Sequence, residues 1–358
     1  MGGWQPHPAH DVFDNRYGDC KDVVFLWVSM MRQIGLEAFP TLIRTRNALQ
    51  IDPNFPKDWF DHVIGMTVID GDTLFADLSD HRYRLGSLPP ACEARWALAV
   101  GEFGGRLVWT PERSSDENRQ VVRCDGKLDD RGNLAFDATV TVRGHFARML
   151  PIHGNGDQAA TAAIVLGVAP PAIQATVDQI RAVSPDEVFM HISGRIMGWA
   201  VVEPQRMVVR PRLAGWMASD TLLGRPDPGW AGFAMNAYDT LSVRFPEGWS
   251  PELWPAAVFQ PMTLGECGEK RTFDQGELRV NRHLRWDGRG RSEDELEGSA
   301  TLRRSYREAS NAEWIFRLSE DRQLRDSSVR TNDGVGSAKP KGSGSSGGGS
   351  GRSRGHRN

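Results

Sequence analysis

The sequence has little cysteine and no long apolar run. Among its 358 residues are four cysteines, which lie far apart and form no CxxC pair. Neither a disulfide-rich scaffold nor a cysteine-rich zinc site is therefore predicted. No apolar stretch approaches the roughly 18 residues that a membrane-spanning helix needs. The opening residues MGGWQPHP also lack the basic and apolar segments of a signal peptide. We expect no membrane span and, for the chain as written, a cytoplasmic location.

The sequence also lacks an excess of charge of one sign. Lys and Arg total 43 against 46 Asp and Glu, which gives a formal net charge of −3. Such a balance gives no reason to expect a nucleic-acid partner. Hydrophobic residues make up 39% of the chain and charged residues 25%, as in ordinary globular proteins. The length suits about two domains of ~150 residues each.

Composition divides the chain into three parts. Residues 1–110 combine one apolar helix with several strand patterns, and residues 111–330 are rich in strand patterns around a helical insertion. Residues 331–358 contain mainly Gly, Ser and basic side chains, a composition typical of a flexible, disordered tail. The polar segment 111–120 marks the boundary between the first two parts.

The second part shows the alternation of half-buried strands. Between Leu134 and Val142 every second side chain is apolar, which predicts a strand with one buried face. Further strands are predicted at 188–192, 206–213, 278–286 and 299–305, and helices at 157–166 and 172–182. Many short strands in one region favour a sandwich-like, β-rich domain.

The first part contains a helix followed by an antiparallel sheet. Asp22–Ile34 (DVVFLWVSMMRQI) is apolar on nearly every face, which predicts a buried helix that Gly35 ends. Residues 37–46 predict a strand in which Pro40 favours an edge position or a bend. Residues 62–69 and 73–78 predict two further strands, joined in a hairpin by Asp70-Gly71.

Cys20 stands immediately before the predicted helix, in the segment YGDCKD. A helix N-terminus favours a thiolate, because its free N–H groups and its dipole carry partial positive charge. The same N–H groups are suited to an oxyanion. The alternative is a structural role, since an unpaired cysteine commonly packs as a small apolar residue. The charged neighbours Asp19, Lys21 and Asp22 are expected to cap the helix or to face solvent.

The hairpin brings a histidine and an aspartate together. If Asp70-Gly71 forms a two-residue turn, Ile69 pairs with Asp72 and Asp77 lies opposite Ile64. His62 is two residues from Ile64 and therefore points to the same face as Asp77, within side-chain reach. A carboxylate beside an imidazole fixes its tautomer and stabilises its protonated form. If this face turns towards the helix start, Cys20, His62 and Asp77 form a nucleophile, a base and an orienting carboxylate.

These segments resemble the bacterial transglutaminase-like superfamily, which has the papain-like cysteine-protease architecture. The resemblance rests on YGDCKD before an apolar helix, on GLEA at 35–38, and on the segments FDHVI and FADLS around His62 and Asp77. It implies Cys20 as the nucleophile, His62 as the general base and acid, and Asp77 as the carboxylate that holds His62. It also implies an α+β fold class. In this fold a papain-like or transglutaminase-like core, with a helix packed on an antiparallel sheet in 1–110, precedes the sandwich-like domain and the tail.

The chain departs from this pattern at its start. Only 19 residues precede Cys20, whereas members of the superfamily usually bring further helix and a β-domain before the nucleophile. We therefore expect the catalytic core to be N-terminally incomplete, and a longer parent protein to be exported to the periplasm or cell envelope. Upstream candidates for a side-chain oxyanion donor are limited to Trp4, Gln5 and Asn15.

The expected function is acyl transfer by a cysteine enzyme on a protein or peptide substrate. Water as acceptor makes the enzyme a protease or amidase, and an amine makes it a transglutaminase. The alternative is a catalytically inactive binding or scaffold protein with the same fold. No cofactor is required, and no metal site is predicted, since His7 and His10 are interpreted as a solvated lead-in. No histidine follows Cys92, Cys124 or Cys267 at a comparable spacing.

Overall fold

A computed structural model of the chain shows three β-sheets with a few helices around them. It describes residues 5–46, 50–55, 59–102, 104–150, 158–168, 172–211, 233–254, 257, 259–262, 264–287, 294, 297, 298, 300–302, 304, 305, 308 and 312–320.

Two helices open the described chain, α1 (Ala9–Asn15) and α2 (Cys20–Gln33). Asp19 is the N-cap of α2, and its side chain accepts a hydrogen bond from the backbone N–H of Asp22. The Asp22 carboxylate accepts one in return from the N–H of Asp19. This capping box fixes the start of the helix at Cys20, as expected for Asp19 and Asp22. Gly35 follows the helix in the left-handed region, with φ +84°, and allows the chain to reverse.

A five-stranded antiparallel sheet follows the helices, in the order β3-β2-β1-β4-β5. Its strands are β1 (Glu37–Ile43), β2 (His62–Ile69), β3 (Asp72–Ala76), β4 (Trp96–Gly101) and β5 (Gly104–Trp109). A short 3₁₀ turn, Pro90–Cys92, precedes β4.

The β2–β3 hairpin has the predicted turn and register. Asp70 and Gly71 both have positive φ, 52° and 89°, the conformation of a type I′ turn. Ile69 pairs with Asp72, and the pairing continues in step along both strands. The hairpin prediction is confirmed.

Pro40 lies in a central strand rather than in an edge strand. β1 pairs with β2 along its whole length, and Pro40 is opposite Gly65. Pairing with β4 begins only at Thr41, so β1 has a strand neighbour on one side alone at the proline. Pro40 therefore lies at a local edge of the sheet, as predicted, although β1 itself is a central strand.

Helix α2 is buried along one face. Val24 and Val28 are buried and pack with Ala38 of β1 and Val63 of β2. The prediction of a helix buried on nearly every face is wrong, because large apolar side chains on its other faces are exposed. These are Phe25, Met30 and Ile34.

The rest of the chain forms a large mixed sheet and a small antiparallel one. The large sheet has the order β14-β15-β16-β12-β6-β7-β9-β8, and the small one β10-β11-β17-β13. The strands of the large sheet are β6 (Arg119–Leu128), β7 (Leu134–Arg143), β8 (Ile173–Ser184), β9 (Glu187–Ile196), β12 (Met235–Arg244), β14 (Phe259–Met262), β15 (Gly265–Asp274) and β16 (Glu277–Trp286). The small sheet contains β10 (Ala200–Val202), β11 (Arg206–Val209), β13 (Trp249–Leu253) and β17 (Trp314–Leu318). Two further helices are α3 (His145–Arg148) and α4 (Gln158–Leu166).

The largest apolar core draws on both of these sheets. Met207 and Trp314 of the small sheet belong to the same buried cluster as Leu241 and Val280 of the large one. In β7 the side chains alternate as predicted, with every second residue from Leu134 buried. The predicted strands at 188–192, 206–213 and 278–286 correspond to β9, β11 and β16, and the predicted helix at 157–166 to α4.

Two element types in this part were predicted wrongly. The segment predicted as a helix at 172–182 is strand β8, which forms one edge of the large sheet. Its side chains are mostly exposed beyond the first residues, so the apolar alternation that identifies a strand is missing. The segment predicted as a strand at 299–305 is helical at each position that the structure describes, namely 300–302, 304 and 305.

The predicted α+β fold class, with a papain-like or transglutaminase-like core, is wrong. Most of the regular structure is β-strand in three sheets. The physical reason is the distribution of buried apolar surface. The largest core is built mainly from strands of the second part, whereas α2 buries only Asp22, Val24 and Val28.

Hydrogen bonds cross the predicted boundary near residue 110, for example from Tyr83 to His145, and the division into 1–110 and 111–330 stays a prediction. The predicted tail, 331–358, lies outside the described residues. Within the described ranges, none of the helices combines the length and the apolar character needed to cross a bilayer.

Candidate functional site

His62 and Asp77 form a hydrogen-bonded pair at one end of the five-stranded sheet. His62 is the first residue of β2, and Asp77 directly follows β3. The Nε2 atom of His62 lies 3.0 Å from Oδ2 of Asp77. The pair is mostly shielded from solvent, since the side chains are 15% and 5% exposed. The type I′ turn produces this contact, because it sets the register that puts both side chains on one face.

Asp77 is held by a second set of hydrogen bonds. Its Oδ1 atom accepts from the backbone N–H of Ser79 at 3.0 Å and from the Ser79 hydroxyl at 2.6 Å. Burial raises the pKa of Asp77, but the hydrogen bonds from His62 and Ser79 outweigh it, so the pKa lies below its ordinary value. The carboxylate is therefore ionised at neutral pH.

Cys92 lies next to this pair. Its Sγ atom is 3.8 Å from Oδ2 of Asp77. One ligand atom from each of His62, Asp77 and Cys92 lies within 4.8 Å of the other two, so the structure contains a Cys-His-Asp cluster. The thiol is buried, with the residue 1% exposed. Burial, together with the neighbouring charge of Asp77, raises the pKa of Cys92 well above its ordinary value. At neutral pH this cysteine is a thiol.

Cys20 is outside the cluster. It is the first residue of α2, is partly exposed, and forms no disulfide. Within the described part of the chain, no hydrogen bond joins its Sγ atom to His62 or Asp77. The structure thus brings together two of the three residues that the sequence predicted as catalytic, and adds Cys92, which the sequence analysis had set aside. The catalytic roles of Cys20, His62 and Asp77 stay predictions.

The His62–Asp77 pair lines an open cavity of about 920 Å³. The first part of the chain supplies Thr45, Tyr83 and Cys92 to its wall, and the later part supplies Met149 and Phe233. Its volume lies in the range of ligand-binding pockets.

A buried hydrogen-bonded chain supports the cavity wall at Tyr83. Nε2 of His145 donates to Oε2 of Glu93 at 3.0 Å, and the Tyr83 hydroxyl donates to Nδ1 at 3.1 Å. The ring of Phe233 packs edge-on against His145 at 4.9 Å. Burial lowers the pKa of His145 in spite of Glu93, so the imidazole is neutral and accepts from the tyrosine. The members of this set are 10 and 52 residues apart and share no motif, so no sequence pattern identifies them.

His7 and His10, which were interpreted from the sequence as a solvated lead-in, lie on the surface near the start of the chain. Nδ1 of His7 lies 3.0 Å from Oδ2 of Asp22, and the His7 N–H donates to Oδ1 of the same carboxylate. His10 contacts Asp11 on the surface. Both side chains are largely exposed, as expected for a solvated lead-in.

Comparison with known proteins finds a distant structural similarity. No protein-family model matches it, and no curated protein matches it. Its structure is similar to the crystal structure of a putative protease from Parabacteroides distasonis, with a TM-score of 0.41 and 10% sequence identity. The similarity covers 87% of this chain and 48% of that one, so the chain spans about half the length of that protein. This level of similarity carries no information on function, and the resemblance to the transglutaminase-like superfamily stays a prediction.

Proposed function

We propose that this protein is a cysteine hydrolase or acyltransferase that acts on peptide or carboxamide bonds. In this proposal Cys20 is the nucleophile, His62 the general base and acid, and Asp77 the carboxylate that holds His62. The observation that carries the proposal is the shielded His62–Asp77 hydrogen bond at the wall of an open cavity.

The hydrogen bonding of the two His62 ring nitrogens supports its role as the general base. Nε2 is bound to Asp77, and Nδ1 has no hydrogen-bond partner among the residues that the structure describes. An imidazole whose one nitrogen donates to a carboxylate offers the other as a base, and the carboxylate stabilises the imidazolium that forms.

The position of Cys20 at a helix N-terminus supports the role of nucleophile. The capping box satisfies the N–H groups of Asp19 and Asp22, and the helix dipole favours a thiolate at the first residue. Cys20 is also partly exposed, as a residue that reacts with a substrate has to be.

The chain reversal after α2 supports a position of Cys20 and His62 at the same end of the five-stranded sheet. The N–H of Leu36 donates to the carbonyl of Met31, so β1 runs back along the helix. The 14 residues of α2 and the 7 residues of β1 have similar lengths, about 21 Å and about 23 Å. The last residue of β1, Ile43, pairs with His62. His62 is therefore at the end of the sheet near which α2 begins.

Cys92 is a poor candidate for the nucleophile, although it is nearer to the pair. Its sulfur is buried and its pKa is raised by that burial, so little thiolate forms at neutral pH. Nucleophilic attack requires the thiolate and an open approach.

The proposed reaction has two steps. The Cys20 thiolate adds to the carbonyl carbon, and the C–N bond breaks as the His62 imidazolium gives its proton to the leaving amine, which leaves a thioester. Water, or a second amine, then gives a proton to His62 and attacks the thioester, and the thiolate is released. Water yields a carboxylic acid and an amine yields a new amide, so the mass of the product distinguishes hydrolysis from transglutamination.

One observation favours the alternative of a catalytically inactive binding protein, namely that Cys20 is not part of the Cys-His-Asp cluster. In such a protein the cavity would bind a peptide without cleaving it. The alternative predicts that Cys20 behaves as an ordinary exposed thiol whose reactivity is independent of His62.

Alkylation of Cys20 by iodoacetamide at about pH 6 separates the two functions. An ordinary thiol with a pKa of about 8.5 is almost wholly protonated there, whereas a cysteine paired with a histidine is a thiolate. We expect His62→Gln to slow the alkylation of Cys20 at least about tenfold, measured by mass spectrometry of the Cys20 peptide. His81→Gln is the matched control, because His81 lines the same cavity and is not among the described residues that hydrogen-bond the Asp77 carboxylate. Equal rates in the wild type and His62→Gln would contradict the proposal.

A further inference from the structure

The cluster of His62, Asp77 and Cys92 brings three different donor atoms close together. The separations are 3.0 Å from Nε2 to Oδ2 and 3.8 Å from Sγ to Oδ2, with all three atoms inside 4.8 Å. Zinc binds imidazole, carboxylate and thiolate at about 2.0–2.3 Å. Ligands on neighbouring corners of a tetrahedron of that size lie about 3.3–3.8 Å apart. The donor atoms are thus close to the spacing that one zinc ion requires.

The identity of the donors selects the class of ion. One thiolate, one imidazole and a single carboxylate suit a borderline-soft cation such as Zn²⁺, and its spectroscopic substitute Co²⁺. Ca²⁺ and Mg²⁺ require a shell made of oxygen atoms, and Asp77 is the one oxygen donor in this cluster.

The surroundings are those of a zinc site with an open position. Ser79 holds the second carboxylate oxygen, Oδ1, with two hydrogen bonds, so Oδ2 stays directed at His62 and Cys92. Hydrogen bonds of this kind orient metal ligands and contribute to affinity. All three donor residues line the open cavity, which supplies a path for the ion and a fourth position for water.

We propose that His62, Asp77 and Cys92 form a binding site for Zn²⁺ on the cavity wall, and that the bound ion inhibits the acyl transfer proposed above. As the ion binds, the Cys92 thiol releases its proton to solvent, and the proton of the neutral His62 ring moves from Nε2 to Nδ1. Bonds from Nε2 and Oδ2 to the ion then replace the hydrogen bond between these two atoms. His62 then no longer accepts or donates a proton for Cys20. The inhibition rests on the proposed function, whereas the binding does not.

Titration of the reduced, metal-free full chain with Co²⁺ tests the binding. We expect one equivalent to bind and to produce the near-ultraviolet absorption of a thiolate–cobalt bond, which Zn²⁺ then abolishes. Cys92→Ser should remove the absorption and weaken binding at least about tenfold, and Ser79→Ala should weaken it about 10–100-fold. Cys124→Ser is the matched control for a buried cysteine and should bind as the wild type does.

Three results would overturn the site: no thiolate–cobalt absorption in the wild type, unchanged absorption in Cys92→Ser, or loss of the absorption in Cys20→Ser. Thermal unfolding of the metal-free variants identifies any that fails to fold. If Cys92→Ser does not fold, the cobalt titration is carried out with Asp77→Asn instead. This change keeps the shape of the side chain and should weaken binding at least about tenfold.

Alkylation of Cys20 at about pH 6 tests the inhibition. We expect Zn²⁺ to slow the reaction at least about tenfold in the wild type and to leave Cys92→Ser unaffected. If Cys20 in the metal-free wild type reacts no faster than in His62→Gln, the proposed function fails while the cobalt titration still decides the metal site. If Zn²⁺ binds but Cys20 keeps its His62-dependent rate, the inhibition is overturned.

Discussion

At the scale of single residues, the site depends on polar groups that are buried together with their partners. Asp77 is satisfied by His62 and Ser79, and His145 by Glu93 and Tyr83. A buried polar atom that loses its partner costs more than the hydrogen bond itself contributes, because it has also lost its contact with water. The effect of a substitution therefore depends on what it leaves unpaired.

We expect Tyr83→Phe to lower the free energy of unfolding by about 1–3 kcal/mol, because it leaves Nδ1 of the fully buried His145 without its donor. Chemical denaturation measures the change. Tyr238→Phe is the control, since Tyr238 is 39% exposed, and should change the free energy by no more than about 0.5 kcal/mol. Equal effects of the two changes would show that the hydrogen bond to His145 contributes nothing to stability.

At the scale of elements, the parts that could be predicted from the sequence are those specified by local chemistry. Asp70-Gly71 fixes the turn, the register and hence the His62–Asp77 contact, and Asp19 fixes the start of α2. Strand β8 was missed because an exposed edge strand has no apolar alternation to identify it. The proximity of Cys92 to Asp77 depends on a 3₁₀ turn packed against the sheet, and no local pattern encodes such a contact.

The packing of α2 on the sheet depends on the absence of a side chain at Gly65. A Cβ atom there would lie 2.6 Å from the Trp27 ring, whereas a Cβ at Gly101 of the same sheet would meet nothing closer than 3.6 Å. We expect Gly65→Ala to destabilise the protein by about 1–3 kcal/mol through overpacking. Gly101→Ala, measured by the same denaturation, should be tolerated. If Gly65→Ala were equally well tolerated, the close contact between α2 and β2 would be contradicted.

At the scale of the whole molecule, the two predicted domains share buried polar contacts. Glu93 and Tyr83 come from the first part of the chain and His145 from the second, and Arg113 links Ser87 to Asp186 by hydrogen bonds of 2.9 and 3.1 Å. Tyr83, Ser87 and Glu93 of the first part thus have hydrogen-bond partners in the second. We therefore expect the two parts to unfold together.

His145 also couples the stability of the molecule to pH. Its pKa is lowered by burial in the folded state, so the unfolded chain binds a proton more readily. Stability is then fully present above the ordinary histidine pKa of about 6.5 and is lost as the pH falls below it. The glutamine in His145→Gln does not titrate and keeps a donor for Glu93. Between about pH 7 and pH 5.5 the free energy of unfolding of this variant should fall less than that of the wild type. An identical slope in both proteins would contradict a lowered pKa.

The central claim is that His62 and Cys20 act as one unit, and the pH profile of Cys20 alkylation tests it most directly. In the wild type we predict a rate that stays high from about pH 8 to below pH 6, because a thiolate–imidazolium pair persists over that range. In His62→Gln the rate should instead fall steeply as the pH is lowered over that range, because the imidazolium that stabilises the thiolate is absent. A wild-type profile that falls as steeply as that of His62→Gln would contradict the claim, and Cys20 would then be an ordinary thiol at the start of a helix.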